Sequence, residues 1–513
     1  MTALVEEVTP SQRLGFWAGL LAGLGVVLLA GVLPRPVGLS VAAIRLVGVT
    51  MWVGIWWITE AIPLGATALI PFATFPLLGI ATAKATAPAY ASPFILLLLG
   101  GFLLALAVER SGVHRRLSLH VLRIVGTSPR RLVLGFAIAA AVMSMWISNT
   151  ATTLIMMPIG IAIAERAGRD DDPVAQAFTI AVLLGTGYGA SIGGMGTPIG
   201  TPPNLIAMAA ISDKFPGATQ LTFVTWAIEA LPAVVIIVPI MWLMLTRMYP
   251  KVPKDLDLGA AHVIRDELKR LGKWRTPEIL SLAVFGLAAI LWITRKDFVI
   301  GRAEDFVGWD TLVAWLDLGQ GRVGVRGWES FFGLVGTHDG TVAILVACVA
   351  FALPAGGGSK ERLLPWHVAV KVPWGLVLLF GGGVALSKGF DATGLSAYLG
   401  ATLGRLADAS PSVFVGVTAL SATFGTEIIS NTALANITMP ILAETAKAAS
   451  MDPTTLVVPV ALACSCAFMM PAATGPNAIV FGTGKIRIAQ MAKAGFFINW
   501  AAWAVIVIIA LVL

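Results

Sequence analysis

The sequence predicts an all-α polytopic membrane protein with about 11 transmembrane helices, at roughly 20 apolar residues per crossing, two re-entrant hairpins and an inverted internal repeat. Three observations predict it. The 513 residues are 57% hydrophobic and only 12% charged, about half the charged fraction usual for soluble domains. Two apolar runs are too long for one crossing and too short for two. Each of those runs carries the tripeptide Ser-Asn-Thr near its middle.

From the N-terminus, the first apolar run spans Leu14 to Leu33. It is longer than a signal-peptide core and lacks a small-residue cleavage site, so it is expected to be a retained span within residues 1–36. Further runs cover Val41 to Thr59, Ala61 to Ile80 and Phe94 to Val108. Then come Arg115, Arg116, Arg123, Arg130 and Arg131 with no acidic residue, spaced for a helix lying on the membrane surface. Positive charge marks the cytoplasmic side. A second basic segment, Lys251 to Arg275, carries Lys251, Lys254, Arg265, Lys269, Arg270, Lys273 and Arg275, and is expected to be a cytoplasmic linker between halves 37–250 and 276–513. The acidic stretch from Asp297 to Asp339 belongs outside. The net charge of +7 is thus explained by topology, and no nucleic-acid partner is expected.

An even number of crossings must separate the two basic loops, yet three long runs lie between them, so one run enters and leaves on the same side. Leu132 to Ala164 is that run: as one helix it is about 50 Å long, against a bilayer core of about 30 Å. Its middle holds Ser148, Asn149 and Thr150, so residues 132–165 are expected to form a hairpin with its tip at the bilayer centre. Residues 411–447 repeat the pattern with Ser430, Asn431 and Thr432.

The duplication extends further. PFILLLLGGFLLAL from Pro93 matches PWGLVLLFGGGVAL from Pro373, and aligning Gly100 with Gly381 puts the tripeptide 148 − 100 = 48 residues on in one half and 430 − 381 = 49 in the other. After each hairpin an apolar run ends in a helix-breaking turn, GTPPN within 197–204 and ATGPN within 471–477. The first hairpin follows a basic loop and the second follows a stretch containing Asp391 and Asp408, so the repeats are expected to be inverted, as in many secondary transporters.

Broken helices expose N–H groups that favour an anion and carbonyls that favour a small cation. Asn supplies two donors and an acceptor, and Ser and Thr hydroxyls supply both. Two such tips suit a substrate with two carboxylates, with sodium ions offsetting its charge. Glu60 and Glu427 lie in apolar surroundings; Glu60 suits a structural hydrogen bond and Glu427, beside Thr426, suits tuning of a cation site. His114, His120, His262, His338 and His367 fall in or beside loops, which disfavours a histidine proton relay. FGTGKI at Lys485 lacks the phosphate-loop spacing. Cys348, Cys464 and Cys466 form no metal or disulfide pattern. The tryptophans, among them Trp52, Trp56, Trp57, Trp309 and Trp374, suit interfacial anchoring. No nucleophile and base pair stands out, so no enzyme is expected.

SNTAT at Ser148, SNTA at Ser430, GTPPN, TGPNAIVFG and WWITEAIPLGATALIP from Trp56 resemble the divalent anion/sodium symporter family of dicarboxylate and citrate carriers over nearly the whole chain. The resemblance implies a homodimer in the cell's inner (plasma) membrane, each protomer having a scaffold and a transport domain that moves like an elevator. It implies one sodium site at Ser144, Ser148, Asn149 and Gly200 and another at Thr426, Ile429, Asn431 and Ala473. It implies substrate contacts from Asn149, Thr150, Thr201, Asn431, Thr432, Thr474, Gly475 and Pro476. One departure concerns Gly475, which stands where the first repeat has Pro202. The expected activity is sodium-coupled symport of succinate, malate, fumarate or a related di- or tricarboxylate such as citrate. The alternatives are a sulfate or other oxyanion carrier, a dicarboxylate exchanger and, more remotely, an anion channel.

The charge bias makes a topology prediction. In a background without native cysteines, single cysteines at positions 115 and 269 escape an impermeant thiol reagent added outside intact cells, and a cysteine at position 305 reacts. Outside labelling at position 115 reverses the orientation.

Overall fold

The computed structural model describes residues 9–32, 38–166, 172–215, 221–248, 252–253, 259–302, 317–319, 322–334 and 336–512. Lys251, Lys254 and Asp305 lie outside them. The described chain is dominated by helices, eight of which are long and apolar enough to cross a membrane. Shorter apolar helices add to these, among them Leu64–Leu77 and Asp339–Ala352.

After Pro10–Leu29, helices of similar kind recur in the same order in both halves. Val41–Thr59, Leu64–Leu77, Pro93–Ser111 and Val113–Val125 are followed in the second half by Thr276–Ile293, Asp339–Ala352, Trp374–Thr393 and Leu395–Ala409. Next come the helix pairs Pro129–Ser144 with Asn149–Ala164, and Pro411–Gly425 with Asn431–Ala448. Pro173–Gly194 and Pro202–Lys214 then correspond to Pro453–Ala463 and Gly475–Gly482, and Phe223–Met248 to Ile488–Val512.

Local sequence accounts for these boundaries. Gly112 and Gly394 end matching helices in the left-handed conformation at φ 79° and 76°, where a side chain is strained. Pro129, Pro173, Pro411 and Pro453 each open a helix at the position where a missing N–H is harmless. The apolar run at 61–80 divides into Leu64–Thr67 and Ile70–Leu77, because Pro71 has no N–H to bond back towards Thr67 and so suits the first turn of a new helix.

The basic stretch at 115 forms Val113–Val125, which buries Val113, His114, Arg116, Leu119 and Leu122 on one face. Arg116 pairs with Glu278 at 3.2 Å, donates to the carbonyls of Leu271, Gly272 and Lys273, and lies over Trp274. This buried guanidinium ties the surface helix to the polar segment before Thr276–Ile293. The acidic segment contains a departure from helix that the sequence did not signal: strands Phe298–Arg302, Asp317–Gly319 and Arg322–Val325 form an antiparallel sheet with the third in the centre. Arg295, bonded to Asp339 at 2.6 Å and Glu329 at 2.9 Å, anchors that region to the helices.

Pro173–Gly194 is the axis of the larger core cluster, and every residue from Ala177 to Thr201 is buried. Gly185, Gly189 and Gly193 recur every four residues along its face towards Pro129–Ser144. A Cβ on Gly193 would lie 2.1 Å from the Ala141 carbonyl oxygen, and one on Gly189 2.6 Å from that of Ala137. Small residues at this spacing let two backbones approach where lipid supplies no hydrophobic drive for association. A second apolar cluster joins Val41–Thr59 and Ile70–Leu77 to Trp374–Thr393 through Leu46, Val49, Val53, Phe75, Leu379 and Phe390.

Gly193→Val is therefore expected to prevent recovery of folded protein, because its clash is with backbone. Gly286→Val, at a position open to space, is the control. Equal yields of monodisperse protein from the two variants contradict the packing argument.

Candidate functional site

Each tripeptide starts the second helix of its pair. Ser148 and Ser430 are N-caps whose hydroxyls accept from Ala151 N at 3.2 Å and Ala433 N at 3.3 Å, the usual satisfaction of an orphan N–H. Asn149 and Asn431 are then the first helical residues. Ser148 and Thr150 are exposed, Asn149 and Asn431 half-buried and Thr432 buried, so the first tip is the more open of the two.

The amide of each asparagine turns back to a hydroxyl at the end of the preceding helix. Ser144 donates to Asn149 Oδ1, and Thr426 Oγ1 lies 2.6 Å from Asn431 Oδ1. Thr426 Oγ1 is also 2.8 Å from the carbonyl of Cys464, where the second interrupted helix ends. One hydroxyl proton serves one of those two acceptors, which leaves a third oxygen close by without a proton. Clustered hydroxyl, amide and carbonyl oxygens of this kind suit a hard monovalent cation. In the first repeat, the Asn149 amide lies against Gly194, where a Cβ would sit 2.6 Å from Oδ1, and Gly200 packs on the Gly194 backbone at 2.4 Å from its carbonyl by the same measure. Ser144, Asn149 and Gly200 thus converge on the break after Pro173–Gly194. Ile429 lies in the turn before the second tip and Ala473 at the end of the second break.

Two asparagines hold the breaks together. Asn204 Nδ2 lies within hydrogen-bond distance of the carbonyls of Gly194 (3.0 Å), Met195 (3.2 Å) and Thr197 (2.7 Å), and Asn477 Nδ2 of Ala467 and Met470 (both 3.0 Å). Carbonyls ten and seven residues earlier are bonded in both cases. These roles were missed from sequence, although the closing Asn of GTPPN and of TGPN was in view: without the fold, an Asn after Pro reads as turn chemistry only.

The two breaks differ in length. Residues 195–201 interrupt the first helix, starting slightly before the expected 197–204, whereas the second interruption starts at Cys464 and extends to Thr474, well before the expected 471–477. Glu427 is the physical reason. Its buried carboxylate accepts from Phe468 N (2.7 Å), Met469 N (2.8 Å), Met470 N (2.9 Å) and Asn499 Nδ2 (2.8 Å). Three amides that a helix would pair internally are satisfied by one side chain, and Pro471 follows. The corresponding position in the first repeat is Met145, whose carbonyl accepts from Thr197 Oγ1. Glu60, by contrast, is exposed and caps Val41–Thr59 in the left-handed conformation.

The repeats interlock. Pro202–Lys214 packs on Asn431–Ala448, and Gly475–Gly482 packs on Asn149–Ala164. At the second crossing, a Cβ on Gly475 would sit 2.3 Å from Thr150 Oγ1, so a pyrrolidine ring like that of Pro202 has no room. The departure from GTPPN is the imprint of the opposite tip. Tyr188 reaches across as well, donating to the Phe468 carbonyl at 2.6 Å.

Four helices therefore begin in this region, at Asn149, Pro202, Asn431 and Gly475, and four end in it, at Ser144, Gly194, Gly425 and Ala463. Thr201 and Thr474 are the N-caps of the two short continuations, and Pro476 is buried directly behind Gly475. The four N-terminal ends present positive dipole ends, and those at Asn149, Asn431 and Gly475 also present backbone N–H groups, whereas Pro202 and Pro203 have none. The four C-terminal ends present carbonyls.

A family model described as the sodium:sulfate symporter transmembrane region matches residues 15–513. The chain belongs to the sodium:sulfate symporter family. Among symporters related to it, the sodium-dependent dicarboxylate transporter SdcS of Staphylococcus saprophyticus is 38% identical over 510 residues, covering 98% of this chain and 92% of that protein. The Staphylococcus aureus protein of the same name is 36% identical over 499 residues, covering 96% and 90%. The crystal structure of the Alcanivorax borkumensis YdaH transporter matches 98% of both chains with a TM-score of 0.54 at 13% identity, a likeness of fold. Membership of this symporter family and the eight apolar helices make the chain a multi-pass membrane protein.

Glu427→Gln places an amide N–H against a backbone N–H in a buried site, a loss of about 1–3 kcal/mol. The apparent melting temperature of the purified symporter is expected to fall by several degrees, and Glu427→Ala to cost more. An unchanged melting temperature for both variants contradicts the clamp.

Proposed function

We propose that the protein is a sodium-coupled symporter of a C4-dicarboxylate or a related di- or tricarboxylate, working as a homodimer in the inner (plasma) membrane. The two helix pairs are re-entrant hairpins that enter from opposite sides, with their tips at the bilayer centre. The convergence of four helix N-termini with two hydroxyl–amide clusters, one per repeat, carries this reading. The names of the relatives from the two staphylococci support it.

A dianion held away from water costs heavily unless cations sit beside it. Sodium ions are held at Ser144, Ser148, Asn149 and Gly200, and at Thr426, Ile429, Asn431 and Ala473. The carboxylates lie over the N-terminal ends, against Asn149, Thr150, Thr201, Asn431, Thr432, Thr474, Gly475 and Pro476. Because Asn149 and Asn431 also belong to the cation clusters, filling a sodium site fixes the amide that faces the substrate. That sharing is the physical basis of coupling. Transport then proceeds as an elevator, with the paired tips and breaks moving as one body against the remaining helices.

In proteoliposomes, uptake of labelled succinate is expected to require a sodium gradient and to compete with malate more strongly than with sulfate. Asn149→Ala and Asn431→Ala abolish it. Ser144→Ala or Thr426→Ala raises the sodium concentration for half-maximal uptake by roughly tenfold, about 1.4 kcal/mol, with a smaller effect on substrate affinity. Near-normal uptake by either asparagine variant refutes the site. Uptake that ignores sodium but needs internal dicarboxylate makes the protein an exchanger.

A further inference from the structure

A cavity of about 580 Å³ lies at the cytoplasmic end expected from the charge bias, between Val113–Val125, the turn entering Pro129–Ser144, and helix Ala260–Leu271. Its walls include Arg123, Arg265 and Lys269, its floor includes the buried Ile264, and one side is the Gly126–Thr127 backbone. Arg123, Arg265 and Lys269 are exposed, and among the described residues none of them has a carboxylate within ion-pair distance. Glu267, on the same helix as two of them, is engaged by Arg115 and by Arg270 at 2.9 Å. The side chain of Arg131 packs against Gly126, at 3.3 Å from the site of an added Cβ. Among the described residues, neighbouring cations are thus consumed in pairs or packing, while three around one concave, partly apolar space have no ion-pair partner.

We propose that this cavity binds a phosphoryl-bearing anion, with Arg123, Arg265 and Lys269 contacting the phosphate oxygens and Ile264 the apolar part of the ligand. Two guanidinium groups and an ammonium match phosphate in geometry and charge. The site is remote in sequence from the tips, yet its Gly126–Thr127 wall leads directly into the helix that ends at Ser144. A ligand that fixes this entry turn acts on the first hairpin from its base. The phosphate can come from an anionic phospholipid headgroup of the adjacent leaflet or from a soluble polyphosphate.

Two arms separate these sources. Native mass spectrometry of the purified full-length protein with phosphatidylglycerol, against phosphatidylcholine, tests the lipid. Titration with inorganic pyrophosphate at low ionic strength, read by tryptophan fluorescence, tests the soluble anion, since screening weakens exposed charge pairs. At least one probe is expected to bind, with affinity reduced tenfold or more in Arg265→Glu and in Lys269→Glu, and in the milder Arg265→Gln by a smaller factor. Lys273→Glu, an equal charge change outside the cavity, is expected to alter binding less than twofold. Binding of phosphatidylglycerol alone assigns the lipid source, and of pyrophosphate alone the soluble one. Absence of binding by both probes, or equal weakening by Lys273→Glu, overturns the proposal. Succinate uptake at saturating sodium distinguishes the two sites: a failure here leaves the dependence on Asn149 and Asn431 untouched.

Discussion

The side-chain amides of Asn204 and Asn477 bond carbonyls at and within the two helix breaks, and the rest of the centre depends on that satisfaction. A helix that stops inside a membrane leaves N–H and C=O groups with no water to meet them, each costing several kcal/mol. With carbonyls at each break pinned by one amide, the chain can restart at Pro202, where two prolines leave no N–H to satisfy, or at Gly475. Free amides at a helix start attract an anion, and open carbonyls at a helix end attract a cation. Stability of the break and chemistry of the site are consequences of one arrangement.

The two halves solve this problem unequally. In the first, the turn is short and Thr197 bonds back to the Met145 carbonyl. In the second, Glu427 accepts three consecutive amides and the amide of Asn499, so a carboxylate sits one residue from Thr426 in one repeat and a methionine one residue from Ser144 in the other. The fold is nearly symmetric while its electrostatics are not. The tips differ in the same sense, with Thr150 exposed and Thr432 buried, so the two clusters have different surroundings.

Much of this was legible because a polar tripeptide in the middle of an apolar run is costly in a bilayer unless the chain breaks there or the side chains find partners. The Ser148–Thr150 and Ser430–Thr432 positions, the GTPPN turn and the surface helix after Gly112 follow from composition and spacing alone. What stayed hidden depends on contacts distant in sequence or on atoms without a side-chain signature. The early end of Pro453–Ala463 requires Glu427 to reach residues 468–470, 41 to 43 positions away. The Cys464 carbonyl is backbone, and the sequence assigns it no more than it assigns any other. Gly475 looked like a flaw in a motif, and only the opposing Thr150 explains it. The small sheet arises in a segment whose charge announced a loop and nothing finer.

The crossing of the repeats has a consequence for how the chain is made. Pro202–Lys214 rests on Asn431–Ala448, and Tyr188 bonds the Phe468 carbonyl, so helices inserted early find some of their packing partners only in the last quarter of the chain. A ribosome adding about 5–20 residues per second takes some ten seconds or longer to supply them. Over that interval the first repeat holds a polar break and an uncovered helix face in the bilayer. Burial of Ala177 to Thr201 is completed only when those late helices arrive, which makes the first half a natural client for the insertion machinery until then.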